Sequence, residues 1–362
     1  MSQDRPGALP AWTLAGPVAA TLVLMAAAGG IAGAWMTGLT AAALIVAVLA
    51  AVHHAEVVAH RVGEPFGTLI LALAVTVIEV SLIVSVMLSG GAGADALARD
   101  TVFAAIMIVC NGVVGLCLLV GALRHHVLVF QVDGTVPALS VLAALGTLTL
   151  VLPDFTTTTR GPTFSTAQLA FAGIASLLLY GAFVFVQTVR HRDYFLPIDT
   201  DSEKAHAAPP TTKATAASAA LLMVCLALVV GLAKMLSPAI KAVVTAAAAP
   251  PAVVGVAIAF LVLLPETMAA TRAAARNRMQ TSFNLALGSA LATIGLTIPV
   301  VAAASVALGL PLTLGLSGKD TVLFAITMLA SALTLGSGRA TVLQGAVHLV
   351  LFAAFLFLAV VP

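Results

Sequence analysis

The sequence predicts an all-α polytopic membrane protein of about eleven transmembrane helices, one N-terminal helix followed by two inverted five-helix repeats. Three observations predict it. Of 362 residues, 61% are hydrophobic and only 8% charged, where soluble domains carry about a quarter charged residues. The apolar residues gather in runs long enough to cross a hydrocarbon core, which takes about 20 residues of helix. Two of these runs, one in each half of the chain, hold a single glutamate: Leu69–Ser85 (LILALAVTVIEVSLIVS) carries Glu79, and Ala257–Ala273 (AIAFLVLLPETMAATRA) carries Glu266.

Apolar length, with charged or Pro/Gly breaks between runs, places the spans near Thr13–Gly30, Leu39–Val58, Pro65–Leu88, Thr101–Leu123, Val136–Leu152, Ser165–Val189, Ala216–Leu236, Pro250–Ala270, Thr281–Leu308, Thr321–Ser337 and Thr341–Val361. The first run follows Arg5 and has some features of a signal peptide. It continues toward Trp35, however, and keeping it as a span makes the charge pattern consistent.

That pattern sets the orientation. With the N-terminus cytoplasmic, eleven Lys and Arg residues fall inside (Arg5, Arg61, Arg124, Arg190, Arg192, Lys204, Lys213, Arg272, Arg276, Arg278, Arg339) and five outside (Arg99, Arg160, Lys234, Lys241, Lys319). The positive-inside rule selects this threading, and an odd number of spans then puts the C-terminus outside. A bacterial inner membrane is the expected location. The near-neutral balance, a formal net charge of +2, gives no sign of a nucleic-acid partner. Cys110, Cys117 and Cys225 lie in apolar runs without a C-x-x-C and read as buried thiols.

One long polar connection, Arg190–Lys213, holds Asp193, Asp199, Asp201, Glu203 and Pro209-Pro210. It reads as an acidic cytoplasmic linker that need not fold. The chain divides accordingly into an N-terminal segment and first helix (1–38), a first five-helix repeat (39–189), the linker (190–215) and a second five-helix repeat (216–362). Glu79 and Glu266 then sit on spans of opposite direction, each the second span of its repeat. Secondary transporters place their site at such a repeat interface, near the midplane.

A charged side chain mid-span costs roughly 2.5–3.5 kcal/mol on the insertion scale, so intramembrane carboxylates mark function. Thr76 shares the helix face of Glu79, and a carboxylate with a hydroxyl offers oxygen ligands to a hard cation. Pro265 directly precedes Glu266 and is expected to disturb its helix, freeing carbonyls for a cation. In the following spans Gly115 and Gly121, and Gly288, Ala292 and Gly295 on one face, read as close-packing positions, with Asn111 one turn from Gly115 and Asn284 and Ser289 near the second set. Asn111, Ser289 and Asn284 are also candidates to complete a coordination shell. His53, Glu56, His60 and Glu64 recur at spacings of three, four and four on one face of the second span. That face reads as a proton and cation funnel, a metal site, or an interfacial polar face. His348, alone in the last span, reads as a core histidine with satisfied hydrogen bonds.

These residues resemble the cation/proton exchanger branch of the calcium/cation antiporter superfamily, and within it the ChaA-type calcium (sodium)/proton antiporters. Glu56–Glu79 (EVVAHRVGEPFGTLILALAVTVIE) is similar to the first repeat of that family, and Glu266–Pro299 to the second. Asn111 falls where the family has a Ser-Asn. The usual Gly-Asn-x-x-Glu is replaced by Val75-Thr76-Val77-Ile78-Glu79 and Val262-Leu263-Leu264-Pro265-Glu266, and Ala292 stands where many relatives carry Gln. The resemblance implies alternating-access exchange of cytoplasmic Ca²⁺, Na⁺ or K⁺ for external protons. Glu79 and Glu266 would form the shared site, and Glu56 would lie on a proton or cation pathway. It implies no cofactor beyond the transported ions. Two competing classes are an intramembrane metal-dependent hydrolase using His53, Glu56 and His60, and a passive cation channel. No G-x-x-x-x-G-K-[ST] loop is present to bind a nucleotide.

Overall fold

A computed structural model of the chain describes residues 10–63, 66–90, 93–195, 210–246 and 249–362. Eleven helices among them are long and apolar enough to cross a membrane. They are α1 (Ala11–Ala28), α2 (Ala34–Val62), α3 (Phe66–Ser89), α4 (Leu97–His125), α5 (Val132–Phe155), α6 (Thr166–Arg190), α7 (Thr212–Ala246), α8 (Ala252–Ala275), α9 (Met279–Leu308), α10 (Gly318–Gly336) and α11 (Val342–Val360). Four of them contain π-helical stretches: Ile108–Val113 in α4, Thr147–Val151 in α5, Val186–Arg190 in α6 and Thr293–Thr297 in α9. In a bilayer every backbone group must bond within the protein, so helix is the only open-chain solution.

The helices fall into two compact units that cut across the sequential halves. The first unit is built from α1, α2, α3 and α7, and the second from α4–α6 and α8–α11. In the first, α2 packs on α1, α3 and α7. Its α2–α3 corner depends on two glycines. Gly63 ends α2 at φ +74°, and a Cβ on Gly67 would sit 2.5 Å from the Ala59 carbonyl oxygen. Arg61 at the end of α2 donates to the Thr212 hydroxyl at the start of α7 (3.2 Å).

In the second unit, contacts between connections reveal the threading. At one end Thr313 binds Asp95 through both main chain and hydroxyl, Arg99 donates to the Gly315 carbonyl, and Gly315 N–H donates to the Pro162 carbonyl. At the other end Leu128–Val129 pairs antiparallel with Arg339–Ala340, and Arg124 donates to the Ala275 carbonyl. Connections that meet at one end must be separated by an even number of crossings. All of these are, so α4, α6, α8 and α10 run one way and α5, α9 and α11 the other. Arg99, Arg160 and Lys319 fall at the first end. Arg124, Arg190, Arg192, Arg276, Arg278 and Arg339 fall at the second.

Three expectations need correction. α8 runs through Pro265 as one continuous α-helix rather than a broken one; the proline still removes an internal hydrogen bond, and α8 packs against α4 and α9. The start of the linker is folded: Arg192–Phe195 forms a 3₁₀ turn with Phe195 buried. Gly288, grouped with the close-packing positions, has no heavy atom within 4 Å of where a Cβ would stand.

Candidate functional site

Each unit contributes one of the two glutamates. In the first, α3 carries Glu79 with only 2% of its surface exposed and Thr76, 5% exposed, one turn earlier on the same face. The Thr76 hydroxyl donates to the Ala72 carbonyl at 2.8 Å, which leaves its oxygen lone pairs available. Ile78, Leu82 and Ile83 around it are buried, and α3 holds no lysine or arginine. The chain thus encloses a carboxylate in an otherwise apolar stretch of helix.

The polar face of α2 divides. His53 is half-buried, its ring 5.6 Å from that of Trp12, while Glu56 and His60 are exposed. Glu64 lies outside the described residues. No group of three or more His, Cys, Asp or Glu side chains among the described residues could hold a metal. His53, Glu56 and His60 do not form such a group. The histidine that does enter the interior is His54, which the periodicity of its neighbours left unnoticed. It is fully buried, with Nδ1 3.3 Å from the Ser218 hydroxyl of α7 and Nε2 3.1 Å from the Thr13 carbonyl of α1. The signal was present: Ala43, Ala47, Ala50 and His54 follow one buried stripe at spacings of four, three and four.

In the second unit Glu266 lies on α8, half-buried, with Thr267 donating to the Leu263 carbonyl and Thr271 to that of Thr267 (both 2.7 Å). Glycine brings α8 against α4, since a Cβ on Gly255 would lie 2.8 Å from the backbone of Asp100 and Thr101. Asn111 lies on α4 in the π-helical stretch Ile108–Val113 and is fully buried. Its amide nitrogen donates to the Thr327 hydroxyl of α10 at 2.8 Å, and its oxygen lies 3.2 Å from His348 Nδ1 of α11. His348 therefore has hydrogen-bond partners, as its apolar setting predicted, and one of them is a residue singled out for the site. The π-helical stretch of α9, Thr293–Thr297, occupies the span that follows Glu266 as α4 follows Glu79. Such bulges recur at functional sites.

Ser289 is half-buried on α9. Asn284 has other employment. Its Nδ2 donates to the Phe195 carbonyl at 2.5 Å and its Oδ1 accepts from Gln280 at 3.2 Å. Gln280 also receives the Gln131 N–H and donates to the Tyr194 carbonyl. Asn284 and Gln280 thus hold the root of the acidic linker against the second unit. Phe195 completes the seat edge-on to Phe183, 6.0 Å between ring centres.

A family described as "Sodium/calcium exchanger protein" matches residues 32–189 and 217–361. The chain is 52% identical over 328 residues to a Sinorhizobium fredii protein described as an ionic transporter, covering 90% of this chain and 88% of that one. It is 36% identical over 308 residues to the sodium-potassium/proton antiporter ChaA of Escherichia coli, covering 84% and 83%. Among solved structures, native YfkE superposes with a TM-score of 0.73 over 97% of this chain and 100% of that chain, at 16% identity. The H⁺/Ca²⁺ exchanger CAX superposes with a TM-score of 0.73 over 95% and 87%, at 13% identity. At those identities the two structures establish the shared fold.

Proposed function

Because the chain belongs to the sodium/calcium exchanger protein family, we propose that it is a secondary antiporter exchanging a cytoplasmic metal cation for external protons by alternating access. The family and its transporter relatives place it among exchangers rather than enzymes. One observation carries the site assignment: Glu79 is a carboxylate only 2% exposed on a membrane-spanning helix. A carboxylate can hold a proton or a cation, and because one site cannot hold both ions, their fluxes are coupled. A passive channel lacks that exclusion.

In this reading Glu79 and Glu266 share the ions, each supplied by one of two oppositely threaded repeats. Thr76, Asn111 and Ser289 add neutral oxygens. Asn284, seated on Phe195, acts on the linker instead. His53, Glu56 and His60 line an approach from the cytoplasmic end of α2. The ions are the only other ligands required, and no cofactor enters the cycle. The charge sidedness supports a bacterial inner membrane with the N-terminus cytoplasmic and the C-terminus external.

Ca²⁺, Na⁺ and K⁺ are the candidate cations. Ca²⁺ takes six to eight oxygens, and here the asparagine of the usual Gly-Asn-x-x-Glu is Thr76 in one repeat and Leu263 in the other. The relative named for sodium and potassium is more than twice as identical to this chain as the calcium exchanger CAX. Both facts favour monovalent exchange. The test is cation-driven proton movement in proteoliposomes, read with a pH dye and compared among the three cations on one preparation. Glu79→Gln and Glu266→Gln are each expected to abolish the flux while inserting normally. Wild-type flux from either variant would remove that residue from the site.

A further inference from the structure

The side chains buried with Asn111 form a line of hydrogen bonds whose direction can be worked out atom by atom. Thr327 Oγ1 lies 3.4 Å from the Met107 sulfur, and Asn111 Nδ2 lies 3.8 Å from the same sulfur. A thioether has no hydrogen to give, so the arrangement that uses its sulfur as an acceptor points the hydrogens of the Thr327 hydroxyl and the Asn111 NH₂ toward it. The Thr327 oxygen then accepts the other hydrogen of Nδ2, at 2.8 Å. With its NH₂ committed to that side, the carboxamide turns its oxygen to His348, and Nδ1 must carry the ring hydrogen to donate at 3.2 Å. Nε2 is left as an acceptor for the Thr334 hydroxyl at 3.1 Å. Each link fixes the next, from Thr334 through His348, Asn111 and Thr327 to Met107.

The sequence takes pains to build this line. On α10, Thr327, Ser331 and Thr334 form one buried polar stripe at spacings of four and three. On α4 and α11, Gly115 and Gly345 let the two backbones touch. A Cβ on Gly115 would lie 2.9 Å from His348 Cβ, and one on Gly345 2.8 Å from Leu119 N. Gly115 is one turn beyond Asn111, so the close approach delivers His348 directly to that amide. Asn111, Thr327 and His348 are all 0% exposed and Thr334 is 5% exposed. Polar groups taken out of water are tolerated only when bonded, and these four are, while Ser331 Oγ in the same stripe has no hydrogen-bond partner among the described residues. An amide has two lone pairs on its oxygen and two hydrogens on its nitrogen. The protein uses both hydrogens and one lone pair. What it leaves is the second lone pair of Oδ1, the one feature of an asparagine that a cation can use.

We propose that His348 is a positioning residue of the exchange site: with Thr327 and Met107 it locks the Asn111 carboxamide so that its oxygen, not its NH₂, is presented to the transported cation. This rests on the reading of Asn111 as a site residue. Outer residues that orient a ligand typically change metal affinity about 10–100-fold when removed.

The test is the half-saturating cation concentration for proton flux in proteoliposomes, with the cation-induced rise in melting temperature of the detergent-solubilised protein as a readout that needs no transport. His348→Leu is expected to raise half-saturation about tenfold and to shrink the thermal shift, with maximal flux changed less than about twofold. His348→Gln, whose amide can donate to Asn111, is expected to recover most of the affinity. Thr334→Val keeps the volume and removes only the hydroxyl that sets the ring tautomer; it is expected to act in the same direction, more weakly. In an Asn111→Ala background His348→Leu is expected to add nothing. A His348→Leu protein that melts lower but keeps wild-type half-saturation, or effects of His348→Leu and Asn111→Ala that simply add, overturns the proposal and leaves Asn111 in place. Wild-type half-saturation for Asn111→Ala removes both assignments, while the loss of flux in Glu79→Gln independently reports on the exchanger itself. Should His348→Leu fail to insert, His348→Met is the deciding variant: unchanged half-saturation there, in a protein where Asn111→Ala matters, overturns the proposal.

Discussion

α3 and α8 hold corresponding places in the two repeats, yet they treat their glutamates differently. Glu79 is 2% exposed, Thr76 stands one turn away on its face, and α3 contains neither proline nor a basic residue. Glu266 is half-buried, follows Pro265, and has the exposed Arg272 six residues further along its helix. Two helices descended from one pattern have thus diverged into an enclosed acid and a more accessible one. The contrast teaches that inverted repeats match in topology without matching in burial. An enclosed carboxylate depends on a fixed ligand geometry, whereas a half-buried one has room to adjust its position.

Shortening each acid by one methylene tests this most severely. Glu79→Asp is expected to reduce cation-driven proton flux about 100-fold, the cost of roughly 1 Å of misplacement in a closed site. Glu266→Asp is expected to lose only about tenfold, because the half-buried side chain is held less tightly and can shift toward the ion. Flux assays on the two variants side by side decide it. Equal losses would erase the distinction between the two acids, and a larger loss for Glu266→Asp would reverse it.

Much of this fold could be read from residue type, because the bilayer dictates helix length. Eleven apolar runs become eleven helices, and the discrepancies lie at the ends: α2 continues to Val62 and α7 to Ala246, where the helix outlasts its apolar stretch. Lateral packing was not legible. Lipid tails and protein interiors are equally apolar, so hydrophobicity does not say which face of a span meets protein. For that reason the pairing of α2 with α7 across the halves, and the choice of His54 over His53 for the interior, emerge only in three dimensions. The same limit hid the π-helical stretch around Asn111 and the second role of Asn284. Each depends on a neighbour far along the chain, Thr327 in one case and Phe195 in the other. The two glutamates were legible because a charge in hydrocarbon needs a reason.

The spans that follow the glutamates extend the comparison to packing, with a smaller expected effect. On α4 a Cβ at Gly115 would press on His348 and Leu349, while on α9 one at Gly288 would meet nothing within 4 Å. Gly115→Ala is expected to lower the melting temperature, since overpacking costs typically about 1–3 kcal/mol. Gly288→Ala is expected to raise it slightly, as alanine gains about 0.5–1 kcal/mol over glycine within a helix. Thermal unfolding of both purified variants measures the difference. A stabilising Gly115→Ala would mean that α4 and α11 approach less closely than described.

The smallest effect belongs to Glu56, where α2 contrasts with itself. One turn separates His53, packed on Trp12, from this exposed carboxylate, so their contributions must differ in kind. An exposed charge near a pathway acts at a distance by raising the local cation concentration, and it does so only within the screening length, about 10 Å at 0.1 M salt and about 30 Å at 0.01 M. Glu56→Gln is therefore expected to slow cation-driven proton flux about twofold to threefold at low ionic strength and to be indistinguishable from wild type once an inert salt screens it. Initial rates at 0.01 M and 0.3 M ionic strength, with the transported cation held constant, separate the cases. A loss that persists at high salt would mean that Glu56 touches the ion directly, and the site would then have to extend from α3 to the polar face of α2.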